Sequence, residues 1–174
     1  MEMERVKFYF IILVINVTVL FLVASFPSSP QVGQQILGSL NSTVSPNQGI
    51  VGMGTSIAGH NFFLSLFMSL PFIGIPAGLF IMADTGYAFS AIGSVEGIPG
   101  VALPTLEAFL PFFWLEFVSY TAMMTESYFF TKAVLNGRWK QELSTYVLVI
   151  GLVALTLTIS GFVEAFFYFY RSIK

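Results

Sequence analysis

An all-α, polytopic transmembrane bundle of about five spans is the fold this sequence predicts. Only 9% of its 174 residues are charged and 56% are hydrophobic, whereas a soluble domain carries about 25% charged residues. The mean hydropathy is +0.83. Apolar runs long enough to cross a bilayer recur along the chain, separated by stretches rich in Gly, Pro, Ser and Asn. The same composition excludes a disordered tail, a coiled coil and an ordinary soluble enzyme. A net charge of −2 without a Lys/Arg cluster excludes a nucleic-acid partner. Cysteine is absent and His60 is the single histidine. Disulfides, thiolate metal sites and a histidine-rich metal site are thereby excluded, and neither a metal nor a cofactor is expected.

The whole chain, 1–174, reads as one integral membrane domain. Its first apolar run, 8–26, follows Arg5 and Lys7. Nineteen residues at about 1.5 Å rise cover roughly 28 Å, close to the hydrocarbon thickness. A secretory signal has a core of about 7–15 apolar residues, so this longer run is expected to anchor the chain. Residues 27–57 form a polar loop without a charge, in which Val32, Ile36, Leu37 and Leu40 recur near helical spacing and allow a short interfacial helix. Asn41-Ser42-Thr43 within it is a glycosylation acceptor pattern, meaningful where the loop faces outward.

A second span is expected over 58–83, kinked by Pro71, Gly74 and Pro76, because proline removes a helical hydrogen bond and bends the axis. Asp84 stands at its end. Gly86, Gly93, Gly97 and Gly100 make 86–103 a short or re-entrant helix packed by its small residues. A long span over 105–131 carries Glu107, Glu116 and Glu126, and a last one over 143–170 carries Glu164.

Basic residues set the orientation, since Lys and Arg near span ends favour the cytoplasm. Arg5 and Lys7 place the N-terminus inside and loop 27–57 outside, in the cell membrane. Five spans put Lys132, Arg138 and Lys140 inside and leave Arg171 and Lys174 outside. Four spans exchange those two groups, leaving two basic residues inside at the C-terminus against three outside, and are the alternative.

An ionisable side chain well inside a span is by default a functional candidate. Glu116 lies eleven residues into its span and Glu164 six residues from the end of the last one. At about 1.5 Å per residue these are depths of roughly 16 and 9 Å, on the same outer side in the five-span arrangement. His60 and Asn61 open the second span on that side. His60, Asn61, Glu116 and Glu164 therefore form a candidate intramembrane cluster, either accepting protons or cations or joining helices through hydrogen bonds. Burial favours the neutral form of such a carboxyl. Glu126 and Glu142 read as interfacial charges. Arg171, seven residues after Glu164, shares its helical face and can snorkel. Ser65, Ser69 and Ser119 have no companion histidine at a suitable depth, so no hydrolase is indicated and no catalytic residue is expected.

The order of short motifs resembles one known family. His60-Asn61 opens a span, Gly74-Ile75-Pro76 follows, then Asp84-Thr85-Gly86, then Leu110-Pro111 leading to Glu116, and finally Glu164-Ala165. Over nearly its whole length the chain resembles the stage II sporulation protein M (SpoIIM) family of multi-pass membrane proteins. That family's fourth motif is Pro-His-Gly-x-x-Glu; here Pro111 and Glu116 keep its spacing, while Phe112 and Phe113 replace the His and Gly. The resemblance implies a multi-pass fold and, in sporulating bacteria, a part in a membrane complex that works with cell-wall hydrolases.

The expected function is a non-catalytic subunit or scaffold of a larger membrane complex. Its partners are lipid and other membrane-protein subunits, or further copies of the chain. A small proton- or cation-coupled transporter or channel using the buried carboxylates is the alternative.

Overall fold

A computed structural model describes residues 2–43 and 48–172. The described residues form seven helices and no strands: α1 (Glu2–Ala24), α2 (Pro30–Thr43), α3 (Gly49–Ser69), α4 (Gly74–Glu96), α5 (Ala102–Glu107), α6 (Pro111–Leu135) and α7 (Trp139–Ser172). Among the described residues, four segments are long and apolar enough to cross a membrane: Met3–Ala24, Gly49–Ser69, Gly74–Glu96 and Trp139–Tyr170. Helix α6 is of comparable length, 25 residues, but its carboxylates and Lys132 make it less apolar.

The long helices alternate in direction around α6, which touches α1, α3, α4 and α7. Asn16 near the middle of α1 meets Thr121, and Arg5 near its start meets Glu126, so α1 runs against α6. Asn61 of α3 meets Glu116 and the Leu70 carbonyl meets Ser127, so α3 runs with α6. Gly78 of α4 lies against Met124, and Gly74 against Ser127, so α4 runs back. Tyr146 of α7 meets Ser69 while Ser160 meets Phe112, which makes α7 antiparallel to both α3 and α6. One end of the bundle therefore gathers the start of α1, the α3–α4 turn and the 136–138 loop. The other gathers α2, α5 and the end of α7.

Two expected elements are drawn differently. The single kinked span over 58–83 is two antiparallel helices joined by a turn. Pro71 cannot continue α3, because it lacks an N–H and its ring clashes with the preceding turn. Phe72 takes a φ of 69°, a left-handed conformation unusual for an aromatic residue. The turn is held by α6 and α7: the Phe72 N–H donates to Thr131 Oγ1 at 2.7 Å, Ser127 Oγ donates to the Leu70 carbonyl at 2.6 Å, and Tyr146 OH donates to the Ser69 carbonyl at 2.9 Å. Pro76 then sits in the first turn of α4, where an N–H has no helical partner to lose.

No separate Gly-rich helix spans 86–103. Helix α4 runs through Gly86 and Gly93 and closes on Gly97 in the left-handed conformation, φ 72°. Gly86 serves close packing inside α4, since a Cβ there would lie 2.5 Å from the Leu20 carbonyl oxygen of α1. Glycine in a helix costs about 1 kcal/mol relative to alanine, which close interhelical approach offsets. The polar loop 27–57 contains α2, whose half-buried Val32, Ile36 and Leu37 turn toward α4, and the first residues of α3. The long span expected over 105–131 begins instead at Pro111, with proline in the first helical turn, and the last helix begins at Trp139.

Hydrocarbon gives helices no hydrophobic reason to associate, so small residues and interhelical hydrogen bonds must join them. The α3–α7 crossing shows this. A Cβ on Gly161 would lie 2.7 Å from the Ala58 nitrogen and 2.8 Å from the Gly54 carbonyl oxygen. Adaptable methionines, Met68, Met82, Met123 and Met124, fill the centre around α6 and are almost fully buried.

Candidate functional site

Three helices converge on Glu116. Asn61 of α3 is buried and donates its Nδ2 to Glu116 Oε1 at 2.6 Å. Ser160 of α7 donates to the Phe112 carbonyl at 3.1 Å and lies 3.4 Å from the same Glu116 oxygen. Glu164 is one turn beyond Ser160 on the same face of α7, which brings its carboxyl to that of Glu116. Two bare carboxylates side by side repel, which favours a shared proton or a bound cation between them. Tyr120, one turn further along α6, is buried beside them.

Glu107, at the end of α5, completes the cluster from outside the long helices. Burial pushes its carboxyl up to about 8 from an ordinary 4.5, and the neighbouring Glu164 adds to the shift. No Lys or Arg side chain is hydrogen-bonded or ion-paired to these three carboxyls among the described residues. Nor, among the described residues, do three His, Asp or Glu stand in an arrangement that holds a metal.

Of the four candidate residues, Asn61, Glu116 and Glu164 come together. His60 does not: it is exposed, because adjacent helical residues point about 100° apart. Pro71 and Gly74 bound the α3–α4 turn and Pro76 follows in α4. The side chains of Asn41 and Arg171 lie outside the described residues, as does Lys174.

Three further polar features escaped the sequence reading. Arg5 joins α1, α6 and α7 by donating to Glu126 at 2.6 Å and to Glu142, with its guanidinium 4.7 Å from the Phe129 ring centre. Asn16, fully buried in α1, donates to Thr121 Oγ1 at 3.2 Å; an asparagine inside the apolar run 8–26 was the signal for it. Asp84 stands near the middle of α4 rather than at a helix end, and it is exposed. On insertion scales a carboxylate at the centre of a spanning helix costs about 2.5–3.5 kcal/mol.

Comparison of the chain with protein-family models, with curated proteins and with solved structures finds no match. The SpoIIM resemblance thus rests on the sequence motifs alone.

Proposed function

We propose that the chain is a SpoIIM-like integral protein of the cell membrane that crosses the bilayer five times, through α1, α3, α4, α6 and α7, and serves as a non-catalytic subunit of a larger membrane complex. Alternation of the five long helices supports the crossing number. So does the position of α6 among the four other long helices, where Glu126 is buried and Glu116 accepts a hydrogen bond from Asn61. Arg5, Lys7, Lys132, Arg138 and Lys140, five of the seven basic residues, lie at one end of the bundle. By the positive-inside rule that end is cytoplasmic, with α2, α5 and the acceptor Asn41 on the other side.

The observation that carries the subunit reading is Asp84. A carboxylate exposed midway along an apolar helix is costly in lipid and calls for a protein neighbour. Several interior polar groups, by contrast, are engaged within the chain: Asn61 with Glu116, Arg5 with Glu126 and Glu142, and the Asn16 amide N–H with Thr121. The test is purification from native membranes in mild detergent with identification of what co-purifies. A defined complex is expected, and a chain that runs alone as a monomer overturns the reading.

A second reading is favoured by the carboxyl cluster itself. Glu107, Glu164 and Glu116 lead from α5 into the bundle with no basic partner among the described residues, a composition suited to passing protons or a cation. Loss of ion-coupled flux in Glu116→Gln proteoliposomes, with complex assembly unchanged, supports that reading over the scaffold.

A further inference from the structure

The outward face of α4 carries a charge at mid-depth. Asp84 follows Gly74, which packs beside Ser127 near one end of the bundle, and precedes Ser90, whose hydroxyl donates to the Phe26 carbonyl near the other. At about 1.5 Å per residue Asp84 stands roughly 15 Å from the first level and 9 Å from the second. Phe80 and Tyr87, about one turn to either side, are 71% and 42% exposed. Asp84 itself has no hydrogen bond or ion pair among the described residues. A charge placed there must face protein or water rather than hydrocarbon.

We propose that this face, with Asp84 at its centre and Phe80 and Tyr87 beside it, docks a transmembrane helix of another protein that carries a Lys or Arg near mid-span. The proposal rests on the five-crossing subunit reading and names the chemistry of the partner. Charge complementarity selects another protein rather than a second copy of the chain. Arg5, Lys7, Lys132, Arg138 and Lys140 all lie at one end of the bundle, while Arg171 is in the last turn of α7 at the other. Arg5 is moreover already engaged by Glu126 and Glu142. Among the described residues, no basic residue of a second copy aligned in the same membrane stands at the depth of Asp84. The aromatic rings beside the carboxylate suit an interface in which packed neighbours exclude lipid and water from a central polar pair.

The test uses the full chain in phosphatidylcholine vesicles with a Leu-rich transmembrane peptide bearing one central Lys, and reads association by energy transfer. Control peptides carry Leu at the centre or the Lys at one end. The central-Lys peptide is expected to bind at least tenfold more tightly than either control. Asp84→Asn removes that preference and Asp84→Glu keeps it. Equal binding of the three peptides overturns the proposal. So does Asp84-dependent self-association that excludes the peptide, which assigns the face to a second copy. Failure of the underlying reading is separately visible: a chain purified alone from native membranes ends the subunit reading, whereas a complexed chain indifferent to the peptide Lys ends this proposal only.

Discussion

Asn61 and Glu116 are 55 positions apart in sequence, yet the Asn61 amide donates to Glu116 Oε1 at 2.6 Å and ties α3 to α6. A double-mutant cycle with Asn61→Ala and Glu116→Ala measures that tie. Interhelical hydrogen bonds in membranes average about 0.6 kcal/mol, with a maximum near 1.7. A coupling in that range is expected from reversible unfolding in detergent or bicelles. Zero coupling shows that the contact contributes nothing to the bundle.

Glu107 makes stability depend on pH. Its carboxyl titrates near 8 in the folded chain and near the ordinary 4.5 when unfolded. The folded state therefore holds more protons between those values, and stability falls as pH rises from about 4.5 through about 8. Glu107→Gln is expected to flatten this slope, so its advantage over the parent is larger at pH 9 than at pH 4. Thermal unfolding at the two values checks the sign.

Arg5→Met leaves Glu126 and Glu142 without their shared cation at a junction of three helices. Removing one partner of a buried ion pair costs about 3–5 kcal/mol, and the partial exposure of Arg5, 18% for its side chain, places the expected loss toward the lower end. Arg5→Lys recovers only part of it, because an ammonium lacks the planar fork that reaches two carboxylates on different helices. Denaturation curves of the two variants give the comparison.

Gly161→Ala tests the α3–α7 crossing. The added methyl meets backbone atoms, the Ala58 nitrogen at 2.7 Å and the Gly54 carbonyl oxygen at 2.8 Å, and backbone yields less readily than a side-chain tip. A loss of about 1–3 kcal/mol is expected from overpacking. Gly151→Ala on the same helix, where a Cβ has open space, is the control and leaves stability unchanged or slightly raised.

Scarcity of charge made the all-helical class legible, because a helix satisfies its own backbone hydrogen bonds wherever water is absent. The prolines were legible as breaks but not as a reversal: a bend and a hairpin both follow from Pro71. What distinguishes them is the Phe72 N–H meeting Thr131 and the Leu70 carbonyl meeting Ser127, contacts with a segment some sixty residues away. That reversal lengthens α4 and moves Asp84 from a helix end to mid-helix. In the candidate site, Asn61, Glu116 and Glu164 were readable from depth alone. Depth carries no angle around the axis, which is why His60 was grouped with Asn61 although it points outward. Glu107 was readable in principle, since Pro111 marks a helix start and leaves it in a preceding segment. Arg5 was read only for its charge, and its partners on α6 and α7 emerge from packing.

The five-crossing arrangement is tested most directly by cysteine accessibility, for which a chain without native cysteine is well suited. Single cysteines at Phe72, Asn136, Gln35 and Thr105, all exposed, are labelled by a membrane-impermeant maleimide in intact and in opened cells. Phe72→Cys and Asn136→Cys are expected to react only after opening, and Gln35→Cys and Thr105→Cys in intact cells. Labelling of positions 72 and 136 from opposite sides of the membrane would contradict the account, because α4 and α6 could not then both cross it.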